Sequence, residues 1–221
     1  MTQAETDGAV RLRISEIFLS LQGEADAVGW PTVFVRLTGC PLRCHYCDTA
    51  YAFTGGEWMA IAEVLAKVAE YGVHHVCVTG GEPLAQKGCL ELLIRLCDAG
   101  HEVSLETSGV LDIARVDPRV SRVMDIKTPV SGEAAQNRYE NIDHLTPRDQ
   151  VKFVIASHDD YDWSVAVIEK YALSERCMVF FSPCFDLIEA RELAEWIIAD
   201  RLEVRLQLQL HKLLWGDERG R

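Results

Sequence analysis

The chain has 221 residues, a length that suits one domain or at most two small ones. Hydrophobic residues make up 48% and charged residues 25%, a globular composition that excludes disordered and collagen-like chains. The net charge of −12 disfavours binding to nucleic acids and to anionic membrane surfaces, although a few local cations would still allow a small anionic substrate.

The N-terminal segment Met1–Val10 is polar and acidic and lacks the apolar core of a secretory signal. No run approaches the 18 apolar residues of a membrane-spanning helix. Eight cysteines are too few for a secreted disulfide scaffold of this length, so clustered ones point to metal binding or chemistry. We therefore expect a cytoplasmic protein with no membrane partner.

Short apolar runs alternate with amphipathic stretches along the rest of the chain. The predicted strands are Thr32–Leu37, His75–Thr79, Glu102–Glu106, Arg122–Ile126, Val151–Ile155, Met178–Phe181 and Val204–Leu208. The predicted helical stripes are Ile61/Val64/Leu65/Val68, the weaker Leu90/Leu93/Cys97, Trp163/Ala166/Val167/Tyr171 and Ala190/Leu193/Ala194/Ile197/Ile198. This alternation predicts an α/β fold with a largely parallel sheet. Residues 128–147 are predicted to be a long loop with a short helix, and no linker divides the single domain expected over residues 1–221.

The unusual residues follow the predicted strands directly. They are Thr38-Gly39-Cys40, Gly80-Gly81-Glu82-Pro83, Thr107-Ser108-Gly109 and Lys127-Thr128-Pro129. Sites in parallel α/β folds form where the strands end, so these turns are predicted to meet at one site.

Three cysteines in the first of these regions are spaced C-x3-C-x2-C, at Cys40, Cys44 and Cys47. A structural zinc site needs four closed ligands, and a bacterial ferredoxin run has a different spacing. On a four-iron cluster, three thiolates leave one iron open to a small chelating molecule. The alternative is a zinc loop completed by His45 or Cys77.

Two further positions carry chemistry with more than one interpretation. Arg36 lies inside an apolar run, where its charge needs either an internal salt bridge with Glu24 or another acid, or a substrate carboxylate. Asp48-Thr49 offers oxygen ligands to Mg²⁺, or a cap for a helix. The remaining cysteines are predicted to be buried structural thiols: Cys77, Cys89, Cys97, Cys177 and Cys184.

The cysteine spacing, with Tyr46 before the last ligand, resembles that of the radical S-adenosylmethionine superfamily, and Gly80–Pro83 resembles its GGEP segment. The resemblance implies a [4Fe-4S] cluster that binds S-adenosylmethionine at its open iron and cleaves it reductively to a 5′-deoxyadenosyl radical. It also implies a partial (β/α)6-type barrel, here with trimmed helices because the chain is short.

Further motifs narrow the resemblance to the 7-carboxy-7-deazaguanine synthase family of the queuosine pathway. They are LQGE at Leu21–Glu24, FVRLTGCPLRCHYCDT at Phe34–Thr49, TGGEP at Thr79–Pro83, ETSG at Glu106–Gly109, DIKTP at Asp125–Pro129, QVKFVI at Gln150–Ile155 and LQLHK at Leu208–Lys212. The implied activity is that of a lyase of 7-deazapurine biosynthesis. It contracts the ring of 6-carboxy-5,6,7,8-tetrahydropterin to 7-carboxy-7-deazaguanine, with release of ammonia and regeneration of S-adenosylmethionine.

The same resemblance implies roles for individual residues. Substrate binding falls to Gln22, Glu24, Arg36, Thr79 and His211, cofactor binding to Gly81, Glu82, Ser108 and Lys127, the cluster to Cys40, Cys44 and Cys47, and Mg²⁺ to Thr49. Flavodoxin or ferredoxin is the implied reductant, and a homodimer the implied assembly. One departure is the tail Lys212–Arg221, which continues for ten residues beyond His211, farther than is usual in this family.

Two other functions compete with this one. A glycyl-radical-enzyme activating enzyme shares the superfamily and compact size but needs a groove for a large protein partner. An electron-transfer or zinc-binding module would need neither the open iron nor the GGEP turn.

Overall fold

A computed structural model describes residues 10–216, 218 and 220, and its nine strands form one continuous sheet. The strands are β1 (Arg11–Leu21), β2 (Pro31–Leu37), β3 (Glu57–Ala60), β4 (His75–Gly80), β5 (Glu102–Thr107), β6 (Ser121–Asp125), β7 (Gln150–Ile155), β8 (Met178–Pro183) and β9 (Arg205–Leu206). Their order is β3-β1-β2-β4-β5-β6-β7-β8-β9, so that β3 and β9 are the two edges. The sheet is therefore not closed, which confirms the predicted partial barrel.

Strands β2 and β4 to β9 pair in parallel, as predicted. The sheet also has an antiparallel portion at one edge, which was not predicted from the sequence. Strand β1 pairs antiparallel with both β2 and β3. Its eleven residues place charges such as Arg11, Arg13 and Glu16 between apolar ones, so no continuous apolar run marks it. Strand β9 covers only two residues of the predicted Val204–Leu208, because its neighbour β8 pairs with it over just that length.

The helices are α1 (Ile61–Glu70), α2 (Cys89–Asp98), α3 (His158–Tyr171), α4 (Leu173–Arg176), α5 (Ala190–Asp200) and α6 (Leu210–Trp215). No α-helix lies between β5 and β6 or between β6 and β7, where every residue is described, and the prediction of trimmed helices is confirmed. The polar stretch 128–147 instead holds three short 3₁₀ helices, at Pro129–Ser131, Ala134–Gln136 and Tyr139–His144. No helix of the described residues is both long and apolar enough to cross a membrane.

Two of the predicted helix faces were wrong in part. Helix α3 buries Tyr161, Val167 and Ile168, whereas the predicted Trp163 and Tyr171 are only partly covered. The stripe was misplaced because α3 also buries polar side chains, Asp160 and Ser164, which accept or donate hydrogen bonds near its first turn. Helix α5 buries only Leu193 of its predicted stripe, and Ile198 is 73% exposed.

Four of the five remaining cysteines are buried, as predicted, and Cys97 is partly buried. Burial raises the pKa of each of these thiols, so they are protonated and unreactive at neutral pH.

A buried ion pair closes the end of the sheet opposite the strand termini that carry the predicted site. Arg122 Nε donates to Asp149 Oδ1 at 2.8 Å, and Thr146 donates to Asp149 Oδ2 through its amide and hydroxyl. Both charged side chains are at most 6% exposed. Burial tends to raise the pKa of Asp149, but the hydrogen bonds from Arg122 and Thr146 outweigh it and lower the pKa.

We expect Asp149→Asn to lower the free energy of unfolding at pH 7 by about 3–5 kcal/mol, because it leaves the Arg122 charge buried without its partner. Since the folded-state pKa is lowered, this contribution is complete above the unfolded pKa of about 3.9 and is lost as the pH falls through the lower folded value. Denaturant unfolding should therefore show a smaller difference in the free energy of unfolding between wild type and Asp149→Asn below pH 4 than at pH 7. The exposed pair Arg119–Asp98 supplies the control: Asp98→Asn should change the free energy of unfolding far less, because solvent screens exposed charges. A pH-independent difference would contradict this account.

Candidate functional site

A cavity of about 620 Å³ opens where the parallel strands end. This is the position at which α/β sheets bind ligands, and the volume lies within the usual range for small-molecule sites, roughly 300–1,000 Å³. Apart from Glu82, every predicted site residue lines it. These residues are Gln22, Glu24, Arg36, Cys40, Cys44, Cys47, Thr49, Thr79, Gly81, Ser108, Lys127 and His211.

The three predicted cluster ligands lie in the loop that follows β2. Their thiols are partly exposed, form no disulfide and all border the cavity. The loop turns at Gly39, whose φ of +101° favours glycine, and is tied to residues 131–133 by His45 N to Ser131 O and Arg43 N to the Glu133 carboxylate. Cys40, Cys44 and Cys47 therefore line the same cavity.

The GGEP turn packs directly against this loop. The Glu82 amide donates to Gly39 O at 2.8 Å, and a Cβ added at Gly81 would lie 2.3 Å from the same oxygen and 2.8 Å from Cys40 Cβ. Only glycine fits at position 81, so the cysteine loop and the strand-to-helix turn form a single unit. That contact explains why the two motifs occur together.

The three thiols have the chemistry that an iron–sulfur cluster requires of its ligands. Among the described residues, no three His, Cys, Asp or Glu side chains converge closely enough to hold one metal ion. In an iron–sulfur cluster each thiolate binds a different iron, so the sulfurs surround the group without meeting at a point. Burial raises the pKa of Cys40 and raises that of Cys44 to about 11, so binding must displace protons from these thiols.

Glu82 lies behind the cavity wall rather than in it. Its carboxylate is fully buried and accepts hydrogen bonds from Thr107 Oγ1 at 2.9 Å, Ser108 N at 2.7 Å and Ser108 Oγ at 2.6 Å. These bonds join the GGEP turn to the ETSG turn. Ser108 borders the cavity, and its hydrogen bonds to Glu82 fix its position.

Arg36 faces the cavity from β2. Its Nε donates to Glu16 Oε1 at 2.7 Å, and that oxygen also accepts from the Tyr51 hydroxyl at 2.8 Å. An internal salt bridge with another acid is therefore present, and the acid is Glu16 rather than Glu24. No described residue accepts from the two terminal amino groups of Arg36, so the same side chain can also meet a carboxylate in the cavity.

Glu106, at the end of β5, connects two predicted substrate residues. Thr79 Oγ1 donates to Glu106 Oε2 at 3.0 Å, and Gln22 Nε2 approaches Oε1 at 3.4 Å. The three side chains therefore come from β4, β5 and the turn after β1, and they form one polar layer along the cavity.

Lys152, inside the apolar run of β7, is the second cation of this layer. Its Nζ lies 2.6 Å from Glu24 Oε2 and 3.8 Å from Asp125 Oδ2, while Lys127 Nζ lies 3.0 Å from the same Asp125 oxygen. Burial lowers the pKa of both lysines, but the neighbouring carboxylates outweigh it and raise the pKa, so both stay charged. The Asp125 Oδ1 atom is buried without a hydrogen-bond partner among the described residues.

Thr49 stands at the N-terminus of a 3₁₀ helix, Ala50–Phe53, but its side chain makes no capping hydrogen bond. The capping alternative is therefore wrong for Thr49. Its Oγ1 lies 3.8 Å from Cys47 Sγ and borders the cavity. Asp48 instead approaches Gln209, with its Oδ2 3.5 Å from Gln209 Nε2.

His211 reaches the cavity from the C-terminal segment. The Leu210 amide donates to Gly23 O at 3.1 Å, and a Cβ at Gly23 would lie 2.3 Å from His211 Nδ1. The glycine of the LQGE motif thus allows His211 to approach. Beyond it, Lys212 lies over the Phe185 ring at 4.7 Å, and residues 216, 218 and 220 also border the cavity. The rest of the tail, residues 217, 219 and 221, lies outside the described residues.

Several polar residues of the cavity received no role from the sequence, although four of them lie within the motifs quoted above. They are Glu16, Glu106, Asp125, Lys152 and Gln209. For Lys152 a signal existed, because a charge within an apolar run is the feature that singled out Arg36. Glu16 lay in the strand that was not predicted. For Gln209, nothing in the sequence marks the residue as lying near Glu24, 185 positions earlier.

Comparison with known proteins gives consistent matches. Residues 34–174 match the radical SAM superfamily. The chain is 47% identical over 213 residues to the 7-carboxy-7-deazaguanine synthase of Chlorobaculum tepidum, covering 95% of this chain and 97% of that one. It is 40% identical to the Koribacter versatilis protein of the same name, covering 94% and 98%. The crystal structure of QueE from Escherichia coli superposes with a TM-score of 0.75 at 25% identity, covering 96% and 99%.

Proposed function

The chain belongs to the 7-carboxy-7-deazaguanine synthase family of the radical SAM superfamily, and we propose that it converts 6-carboxy-5,6,7,8-tetrahydropterin to 7-carboxy-7-deazaguanine and ammonia in queuosine biosynthesis. The observation that carries this proposal is one cavity that is lined both by three thiols and by paired charges. Membership of the superfamily implies a [4Fe-4S] cluster and S-adenosylmethionine.

The thiols of Cys40, Cys44 and Cys47 would hold the cluster, and when bound with S-adenosylmethionine it supplies a radical that takes hydrogen from the substrate. Gly81 has no side chain and so leaves room beside Cys40, while Ser108 and Lys127 offer a hydroxyl and a positive charge to the cofactor's amino-acid portion. Glu82 supports this portion of the site through Ser108.

The substrate is assigned to the charged layer. Arg36 would bind the pterin carboxylate through its terminal amino groups, with Glu16 and Tyr51 holding the guanidinium in place. Gln22 and Thr79 would hydrogen-bond the pterin ring, and both are oriented by Glu106. His211 would close the site from the C-terminal segment. Glu24 lies beside these residues with its carboxylate held by Lys152 and two glutamines.

The decisive experiment is anaerobic incubation of the protein with the carboxy-tetrahydropterin, S-adenosylmethionine and a chemical reductant, followed by mass spectrometry. We expect 7-carboxy-7-deazaguanine, with no net consumption of S-adenosylmethionine. The competing activating enzyme would consume S-adenosylmethionine in proportion to the radical it installs on a protein. Net consumption without a deazaguanine product would reject the proposed function.

A magnesium ion is assigned to Thr49, whose hydroxyl faces the cavity and makes no capping bond. Because Mg²⁺ keeps most of its shell as water and substrate oxygens, one protein ligand is compatible with its chemistry. We expect Thr49→Val, which removes the hydroxyl at nearly constant shape, to raise the Mg²⁺ concentration needed for half-maximal turnover by at least about tenfold. The exposed Thr54 lies outside the cavity, and Thr54→Val should leave that concentration unchanged. Equal Mg²⁺ dependence of wild type and Thr49→Val would remove Thr49 from the metal site.

The remaining expectations concern the protein as a whole. We propose that residues 1–221 form a single domain, that the protein is cytoplasmic and homodimeric, and that flavodoxin or ferredoxin supplies the electron. The continuous sheet supports the first of these. Sedimentation of the anaerobic protein tests the dimer, and turnover with each purified electron carrier tests the reductant.

A further inference from the structure

Three donors of the protein itself bind the carboxylate of Glu24. Lys152 Nζ donates to Oε2 at 2.6 Å, Gln209 Nε2 donates to Oε1 at 2.8 Å, and Gln207 Nε2 approaches Oε2 at 3.3 Å. The residue is only 8% exposed. Three donors from two distant parts of the chain therefore meet on one carboxylate at the edge of the cavity.

The two glutamines belong to the segment that carries His211. They lie at positions 207 and 209, between β9 and α6. Gln207 is 6% exposed, and its Oε1 accepts from the Ala25 amide at 2.6 Å. Ala25 holds a left-handed backbone with φ of +62°, a conformation that non-glycine residues adopt only where surrounding contacts impose it. The segment is thus fastened to both the side chain and the strained turn of the LQGE loop.

We propose that Glu24 is a positioning residue, an inference that rests on the proposed function. Together with Lys152, Glu24 holds Gln207 and Gln209 in place. It thereby positions His211 at the substrate without itself contacting the pterin. Oε2 already accepts from Lys152 and Gln207, so a pterin donor would have to share Oε1 with Gln209. We call the group of Glu24, Lys152, Gln207 and Gln209 the clamp. The charge balance favours it, because the Glu24 carboxylate lies next to the buried Lys152 cation.

The titration behaviour of Glu24 agrees with this geometry. Burial tends to raise its pKa, but the charge and hydrogen bond of Lys152, with the hydrogen bond of Gln209, lower it to about 2. The carboxylate is therefore ionised throughout the range in which the enzyme would work, so the clamp does not open by protonation near neutral pH.

The test compares two variants in the full-length, anaerobically purified protein with its cluster. Glu24→Gln replaces the carboxylate by an amide that cannot balance Lys152, and Gln209→Ala removes one donor without altering Glu24. Hydrogen–deuterium exchange of the substrate-free protein is followed at residues 207–215, which include the Leu210 amide bonded to Gly23 O. We expect exchange there to become at least about tenfold faster in both variants. Strands β4 and β5 should keep their protection, which separates a released segment from global unfolding.

Substrate kinetics provide the second measurement. Both variants should raise KM for the carboxy-tetrahydropterin, and the double variant should lose little more than Glu24→Gln alone, because both act through one clamp. The matched control is Asp26→Asn, which removes the exposed Arg205–Asp26 pair between the same two segments. It should change neither exchange nor KM by more than about twofold.

The outcomes separate the clamp from direct binding and from failure of the proposed function. Unchanged exchange in both variants would overturn the clamp. So would a higher KM in Glu24→Gln alone, with Gln209→Ala behaving as wild type, since that pattern belongs to a residue that binds substrate. Faster exchange in both variants together with a wild-type protein that makes no deazaguanine would support the clamp and reject the proposed function.

Discussion

Cys44→Ala is expected to fold and to lose turnover completely. Cys44 is one of three thiols that border the cavity from a single loop, and its removal leaves two, Cys40 and Cys47, to hold a cluster that already has one iron without a protein ligand. A cluster attached at two corners is open to water and exchange. The measurements are iron and sulfide content after anaerobic reconstitution, visible absorbance, and product formation.

The control for Cys44→Ala is Cys97→Ala in helix α2. Cys97 is also a partly exposed free cysteine, but it lies outside the cavity. Its replacement should preserve iron content and turnover, because the loop of the three ligands is intact. Wild-type activity in Cys44→Ala would refute the assignment of the ligands, and loss of iron in both variants would show that the effect is not specific to the loop.

The parallel part of the fold could be predicted because its signals are local. Several of the strands β4 to β8 are apolar runs with buried residues on both faces, and each of the five begins within two residues of its predicted start. Strand β1 was missed because one of its faces lines a polar cavity. Glu16 and Phe18 both border the cavity, so a charged and an apolar side chain share that face and the regular hydrophobic pattern that marks a strand is lost.

The contents of the cavity could be predicted only in part, for a related reason. Motif residues such as Cys40, Gly81 and Arg36 were identified from their spacing or from an unusual neighbourhood. Their partners come from other strands, and nothing local marks them: Glu16 beside Arg36, or Gln209 beside Glu24. Pairing across the sheet is a tertiary property. For this reason the sequence predicted that Arg36 needs an acid, Glu24 or another, or a substrate carboxylate, and only the fold identifies the acid as Glu16.

Arg36→Ala is expected to weaken substrate binding by about 2–4 kcal/mol, a loss of roughly 30- to 1,000-fold in affinity. The side chain is 14% exposed and is held by Glu16, so its guanidinium would meet the ligand in a partly dehydrated cavity. The variant loses the proposed contact with the pterin carboxylate and also leaves Glu16 without its cation. Substrate affinity measured by calorimetry or by KM should show the loss.

Those two contributions can be separated with a second ligand and a second variant. A tetrahydropterin that lacks the 6-carboxyl group should bind equally to wild type and to Arg36→Ala, because the proposed contact is absent from both complexes. Glu16→Gln keeps the Arg36 charge and the hydrogen bond to Tyr51 within reach, and it should weaken binding of the carboxylated substrate far less than Arg36→Ala. If Arg36→Ala weakened the binding of both ligands by the same factor, Arg36 would not recognise the carboxylate. Its side chain would then only shape the cavity, and its salt bridge with Glu16 would explain why a charge lies in β2.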